Sequence, residues 1–219
     1  MASGNVLLLG AGKCIEGKYK KVRVIGSGQI EGDIACEKLT SAGAAQVTGN
    51  IYFERCKVSG AFEVKGNLEG KCLRIMGAGE VGGKIRVETC RAYGAIECIG
   101  SINCEKIMVE LLGKCVVEEI GASEIAIGQK VKIKEKSIKH KMINKMRMHI
   151  GKEEGDLRAQ AVEGDKIYLD HAKVDTVSGG EIEIGPYCEI ERLEYTKSVK
   201  IHESSKVKEQ IQIITRRNR

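Results

Sequence analysis

Tryptophan is absent from this 219-residue chain, phenylalanine occurs twice and proline once, at Pro186. So few large rings cannot fill the broad interior of a globular domain of this length. The near absence of proline suits an architecture in which almost every amide donates to a neighbouring strand. No Cys-x-x-Cys occurs among the nine cysteines, which removes the usual signature of a zinc tetrahedron or a redox dithiol. No apolar run approaches the ~20 residues of a membrane helix. Val6-Leu7-Leu8-Leu9 is only four apolar residues with no basic residue before it, so no secretory leader is expected. These absences predict a cytoplasmic protein.

Glycine is what the chain has in quantity, and it is placed by a clock. Gly32, Gly49, Gly66, Gly83 and Gly100 stand 17 residues apart, and so do Gly26, Gly43, Gly60, Gly77 and Gly94. At a glycine fraction of about 0.12, five in one register by chance is about 2 × 10⁻⁵, so the spacing is an internal repeat. Apolar residues keep the same step. Ile34, Ile51, Leu68, Ile85 and Ile102 form one column, and Ile30, Val47, Val64, Val81 and Cys98 a second. A third runs through Val22, Leu39, Cys56, Leu73, Cys90 and Ile107.

Within each copy apolar residues alternate, as in Ile30-x-Gly32-x-Ile34, which is the period of a strand. Seventeen residues are too few for a helix pair. At about 3.3 Å per residue they trace a loop of roughly 55 Å, one turn of a parallel β-helix with glycine at its corners. Successive turns would lie about 4.8 Å apart, so that each column becomes a ladder of side chains inside a narrow core.

The clock blurs at Leu111, where a glycine is due, and returns in another phase. Ile167, Ile184 and Ile201 lie 17 apart, with Ile182 and Val199 two residues before the last two, and Ile190 and Val207 repeat the step. The expected organisation is a lead-in over 1–14, a regular β-helix over 15–129, an excursion over 130–156, a second β-helical stretch over 157–207 and a basic tail over 208–219. Residues 130–152 hold nine Lys or Arg against one acid, Glu135, so the formal charge of +6 is concentrated there. Ile138, Met142, Met146 and Ile150 are spaced by four, as on a helix face, whereas Met146-x-Met148-x-Ile150 alternates like a strand. Both periods remain open for this segment.

Cys56 and Cys90 occupy a column shared with Leu39 and Leu73, Cys36 and Cys104 share one with Phe53 and Val87, and Cys98 follows a line of valines. They read as small buried hydrophobes, with no metal or cofactor expected. His140, His149, His171 and His202 all fall outside the regular repeat without common spacing, which reads as scattered surface histidines. No catalytic residue is assigned. Gly26-x-Gly28 belongs to the repeat and not to a strand–loop–helix unit, so it is no nucleotide loop.

The stretch Val22-Arg-Val-Ile-Gly-Ser-Gly-Gln-Ile-Glu-Gly-Asp-Ile34 is echoed at Gly49-Asn-Ile51, Gly66-Asn-Leu68, Gly83-Lys-Ile85 and Gly100-Ser-Ile102. With these echoes it resembles the bactofilins, bacterial polymer-forming cytoskeletal proteins. Val162-Glu-Gly-Asp-Lys-Ile-Tyr-Leu169 and Ile184-Gly-Pro-Tyr-Cys-Glu-Ile190 are similar to a longer Gram-positive branch of that family. The likeness covers about residues 15–207 and is weakest in the basic middle. It implies a right-handed parallel β-helix that polymerises end to end without nucleotide, as a scaffold for cell shape, polarity or motility. A typical bactofilin is one short β-helix between disordered tails; this chain has two stretches and little tail.

The expected function is therefore an all-β structural homopolymer, with no small-molecule substrate and no nucleic acid partner. The rival enzyme is a left-handed β-helix acyltransferase built on hexapeptides, which Ile184-Gly-Pro-Tyr-Cys-Glu-Ile190 would fit for one hexad. Glycine spacings of six and eleven, and a period that is not a multiple of six, count against it. A secreted polysaccharide lyase lacks the export signal here. The third reading is an adaptor whose basic segment meets an anionic membrane through Lys139, Lys141, Lys145 and Arg147 while Met142 and Met146 enter its interface.

Overall fold

The computed structural model of the chain describes residues 3–129, 131 and 155–214. All regular structure among them is β. The strands are β1 (Ser3–Val47), β2 (Ile51–Val64), β3 (Leu68–Val81), β4 (Ile85–Leu111), β5 (Cys115–Gly128), β6 (Leu157–Leu169), β7 (Ala172–Ile184), β8 (Glu189–Ile201) and β9 (Lys206–Gln212). They form one sheet in chain order, and every adjacent pair is parallel. A parallel sheet whose order equals sequence order is a β-solenoid.

The register confirms the 17-residue clock in the first half. Ile34 pairs with Ile51, Ile51 with Leu68 and Leu68 with Ile85, all almost fully buried, as is Ile102. The second and third columns stack in the same way through Val47, Val64, Val81 and Cys98 and through Leu39, Cys56, Leu73 and Cys90. β-branched ladders of this kind combine strand propensity with cross-strand packing.

Glycine turns the corner because nothing else fits. Gly26, Gly43, Gly60, Gly77 and Gly94 have φ from +101° to +138°. A Cβ on Gly77 would lie 2.3 Å from the carbonyl oxygen of Gly60, and one on Gly94 1.9 Å from that of Gly77. The core also alternates large with small along the axis. Phe53 is followed in its column by Gly70, and Phe62 by Gly79. A Cβ on Gly70 would meet the Phe53 ring at 2.6 Å, so this glycine makes the room the ring needs.

The clock changes where its pattern blurs. Glu97 pairs with Val116 and Ile102 with Ile120, so the coil that passes Leu111 is one or two residues longer. β5 then pairs directly with β6, Cys115 opposite Leu157, so the two expected stretches belong to one sheet. The next coil is shorter: Ile167 pairs with Ile182, 15 residues on, and only afterwards does the 17-residue step resume, Ile182 with Val199. The expected column of Ile167, Ile184 and Ile201 is therefore corrected. Ile184 stands over Leu169 and under Ile201, because the shortened coil moves it two places.

A charge placed in a ladder has nothing to pair with. Ile51→Asp is expected to cost several kcal/mol, and Gly77→Ala should cost at least as much as a strained core overpacking, about 1–3 kcal/mol. Urea titration followed by far-ultraviolet circular dichroism measures both against an exposed control such as Lys57→Ala, which should change little.

Candidate assembly surfaces

A sheet in strict chain order has two edges, the first coil of β1 and the strand β9. In the first coil Leu8 is buried, Val6, Cys14 and Tyr19 are half-buried against the core, and Leu7, Leu9 and Ile15 are 55%, 62% and 68% exposed. At the other edge Val199 and Val207 are half-buried against the core, and Ile201, Ile213 and Ile214 are exposed. One interior column ends in a polar residue, Val162–Val177–Leu193–Gln210. Both edges thus present apolar ladder ends beside strand amides and carbonyls, the arrangement that templates further strand pairing.

One outer corner carries a polar ladder beside the glycines, which the apolar columns do not reveal. Asp33 Oδ1 accepts from the Asn50 backbone N–H (2.7 Å), Asn50 Oδ1 from the Asn67 N–H (2.8 Å) and Asn67 Oδ1 from the Lys84 N–H (2.8 Å). Hydrogen bonds from the Asn50 backbone and then its side chain hold the Asp33 carboxyl below its usual value. Its signal was in the sequence as Gly-Asp, Gly-Asn and Gly-Asn at 17-residue steps.

A second polar centre closes the insertion. Asp170 is fully buried and accepts from the Gln129 N–H (2.6 Å) and the Tyr168 hydroxyl (3.0 Å), with His171 Nδ1 at 3.0 Å. The Gln129 side chain donates to the Gly155 carbonyl (3.0 Å), so Asp170 holds Gln129 and Gln129 in turn joins the two described segments on either side of the insertion. Gly128 and Gly185 leave it space: a Cβ on Gly128 would lie 2.2 Å from Asp170 Cγ. Burial, and then the neighbouring carboxylate, push Tyr168 up to about 12. His171 is corrected from a surface histidine to a structural one. Its side chain is 12% exposed, it sits at φ 52°, and its ring lies 4.9 Å from that of Tyr187. His202 is exposed, as expected, and bonds Ser204.

All nine cysteines are free thiols. Burial raises Cys36, Cys98, Cys115 and Cys188 to about 11 and Cys104 to about 12, and pushes Cys56 and Cys90 up as well. Cys72 departs from the buried pattern; it is exposed, in the outward column of Arg55 and Thr89. Among the described residues no group of three or more His, Cys, Asp or Glu is placed to hold a metal, and no helix is long and apolar enough to cross a membrane. Lys139, Lys141, Lys145, Arg147, Met142 and Met146, with His140 and His149, lie outside the described residues.

No family model and no solved structure matches the chain. Over 62 residues it is 34% identical to an uncharacterized protein, YhbF, of Bacillus subtilis (strain 168), a match covering 28% of this chain and 26% of that one. The chain therefore matches about a quarter of that relative's length.

Asp170→Ala leaves the Gln129 amide and the Tyr168 hydroxyl without their acceptor, and is expected to destabilise the fold by about 2–4 kcal/mol, more than Tyr168→Phe. Urea midpoints of the two variants check the order. Thiol labelling gives a further expectation: at neutral pH Cys72 reacts fastest, and the buried thiols react only after denaturation. Mass spectrometry of the modified peptides reads this directly.

Proposed function

We propose that this protein is a structural subunit of the bactofilin kind, which polymerises end to end without nucleotide. One observation carries the reading: the open sheet has apolar ladder residues at both edge coils. Joining an edge to an edge continues the core and the backbone ladder together. An interior pair such as β2–β3 matches thirteen residues. A comparable new junction would form on the order of ten hydrogen bonds at about 1 kcal/mol each. That gain, with the apolar burial, stands against an association cost of about 4–15 kcal/mol, so assembly should depend steeply on concentration. A contact that does not close on itself makes filaments.

Negative-stain microscopy and light scattering without nucleotide test this. The expected result is filaments above a threshold concentration. Val207→Pro removes an edge donor in β9, and Leu8→Asp puts a charge into the first coil; each should lower the filament yield sharply while the circular dichroism stays β. A wild-type protein that remains a monomer or a closed dimer at all concentrations overturns the proposal.

A further inference from the structure

Four buried apolar side chains do not belong to the solenoid core. Met76 and Tyr93 are 5% and 2% exposed, and Leu112 and Val131 are buried too; among the described residues these are the only buried hydrophobic residues outside that core. Ala42, Ser59, Met76 and Tyr93 stand in register one coil apart. Each follows an inward residue of the column Ser41, Val58, Ile75 and Ala92, so strand alternation turns it outward. The Leu112 amide bonds the Gly94 carbonyl (3.2 Å), which keeps the 17-residue step here, so Glu110 follows Tyr93 and then pairs with Gly128.

Exposure falls along this outward column. Ala42 is exposed, Ser59 half-buried, and Met76, Tyr93 and Glu110 are buried. The glycine corner beside it follows the same course: Gly60 is exposed, Gly77 half-buried and Gly94 buried. Beyond the corner stand Ala78 and Ala95, which have no side chain past Cβ and cannot cover a phenol ring. Burial pushes the Tyr93 hydroxyl up, against the pull of Arg74. This burial arises within one chain, so its cover belongs to the chain. Both flanks of the insertion reach this face. Val131, where it starts, is one of the four buried residues. Gly155, where it ends, lies against the coil of Leu112: a Cβ there would stand 2.8 Å from the Gly113 nitrogen and 2.9 Å from the Leu111 carbonyl carbon.

We infer that the outer face over Met76, Tyr93 and Leu112 is the docking site of the chain's own insertion, residues 132–154. Composition favours this occupant. Ile138, Met142, Ile143, Met146, Met148 and Ile150 supply apolar side chains among the bases, and unbranched methionine fits an irregular surface. A basic cover also suits a face that holds the buried carboxylate of Glu110. Reach favours it as well. From Gly128 back to Met76 is three coils, about 14 Å. Going out and returning takes about nine residues of extended chain or about 19 of helix, and the insertion has 23. Docked in this way, Met142 and Met146 are not free to enter a membrane interface, so the segment would meet an anionic surface through its charges alone. The inference is independent of the polymer reading.

Oxidation by dilute hydrogen peroxide, read by peptide mass spectrometry, reports on Met76 in the intact chain. In the native protein Met76 is expected to oxidise about tenfold more slowly than in the same chain unfolded in urea, at every protein concentration. Replacing residues 132–152 by a Gly/Ser linker of equal length should bring Met76 close to the unfolded rate while the circular dichroism stays β. Met142→Asp/Met146→Asp should move it in the same direction. Met76 that stays protected in the linker variant overturns the inference, and so does Met76 that is reactive in the wild type. Protection that disappears on dilution would assign the cover to a second copy and also overturn it. Should the variants fail to fold, the wild type decides through native trypsin digestion. Slow cleavage between Lys139 and Lys152, with Met76 becoming oxidisable once the segment is cut, supports docking. Cleavage as fast as in a synthetic peptide of residues 130–155 overturns it.

Discussion

Each coil of this protein hangs on the one before it through a backbone hydrogen-bond ladder with rungs about 4.8 Å apart. That spacing leaves no freedom in what may follow what. A residue in one coil meets the residue 17 places on at closer range than it meets most of its own coil. Each column is therefore held to one kind of chemistry: isoleucine over isoleucine inside, glycine over glycine at the corner, asparagine over asparagine outside. Where a column breaks its rule, the break is compensated next door. Phe53 and Phe62 are each followed in their columns by a glycine; Gly70 vacates the volume the Phe53 ring takes, and Gly79 leaves room for Ile75. With two phenylalanines and no tryptophan, a core this narrow holds few other rings.

The same constraint explains what happens at the insertion. A ladder can take in 25 or so extra residues between two coils only if the strands before and after them still meet one rung apart. Cys115 and Leu157 meet in register, 42 residues apart, and Asp170 from the following coil holds Gln129, whose side chain bonds the Gly155 carbonyl. A buried carboxylate is costly unless its acceptors are filled, and this one is filled by an amide, a phenol and an imidazole. The left-handed backbone at His171 and Tyr187 is local strain held in place by that packing.

The edge coils carry apolar ladder residues beside strand amides and carbonyls, and the proposed growth along the axis rests on that arrangement. The flank past the glycine corner carries carboxylates in register, Glu63, Glu80 and Glu97.

Much of the fold was legible in the chain because a solenoid writes its tertiary contacts into local spacing. The glycine columns, the three ladders and the parallel pairing follow from a period of 17, since neighbours in space are neighbours one period apart. Ile34, Ile51 and Leu68 could be placed in the core without coordinates for that reason. The outer ladder of Asp33, Asn50 and Asn67 was legible too, though only as a polar repeat beside the glycines. Legibility ended where the period changed. The 15-residue coil that puts Ile182 and not Ile184 over Ile167 depends on how tightly a corner closes, which no spacing records. Asp170 illustrates the same limit: its partner Gln129 is 41 residues away across the insertion, so nothing local marks that carboxylate as buried. The sequence by itself determined the ladder and the residues on it. Only the tertiary structure decided how the ladder crosses its insertion and which charges face outward together, because both depend on where separated segments meet in space.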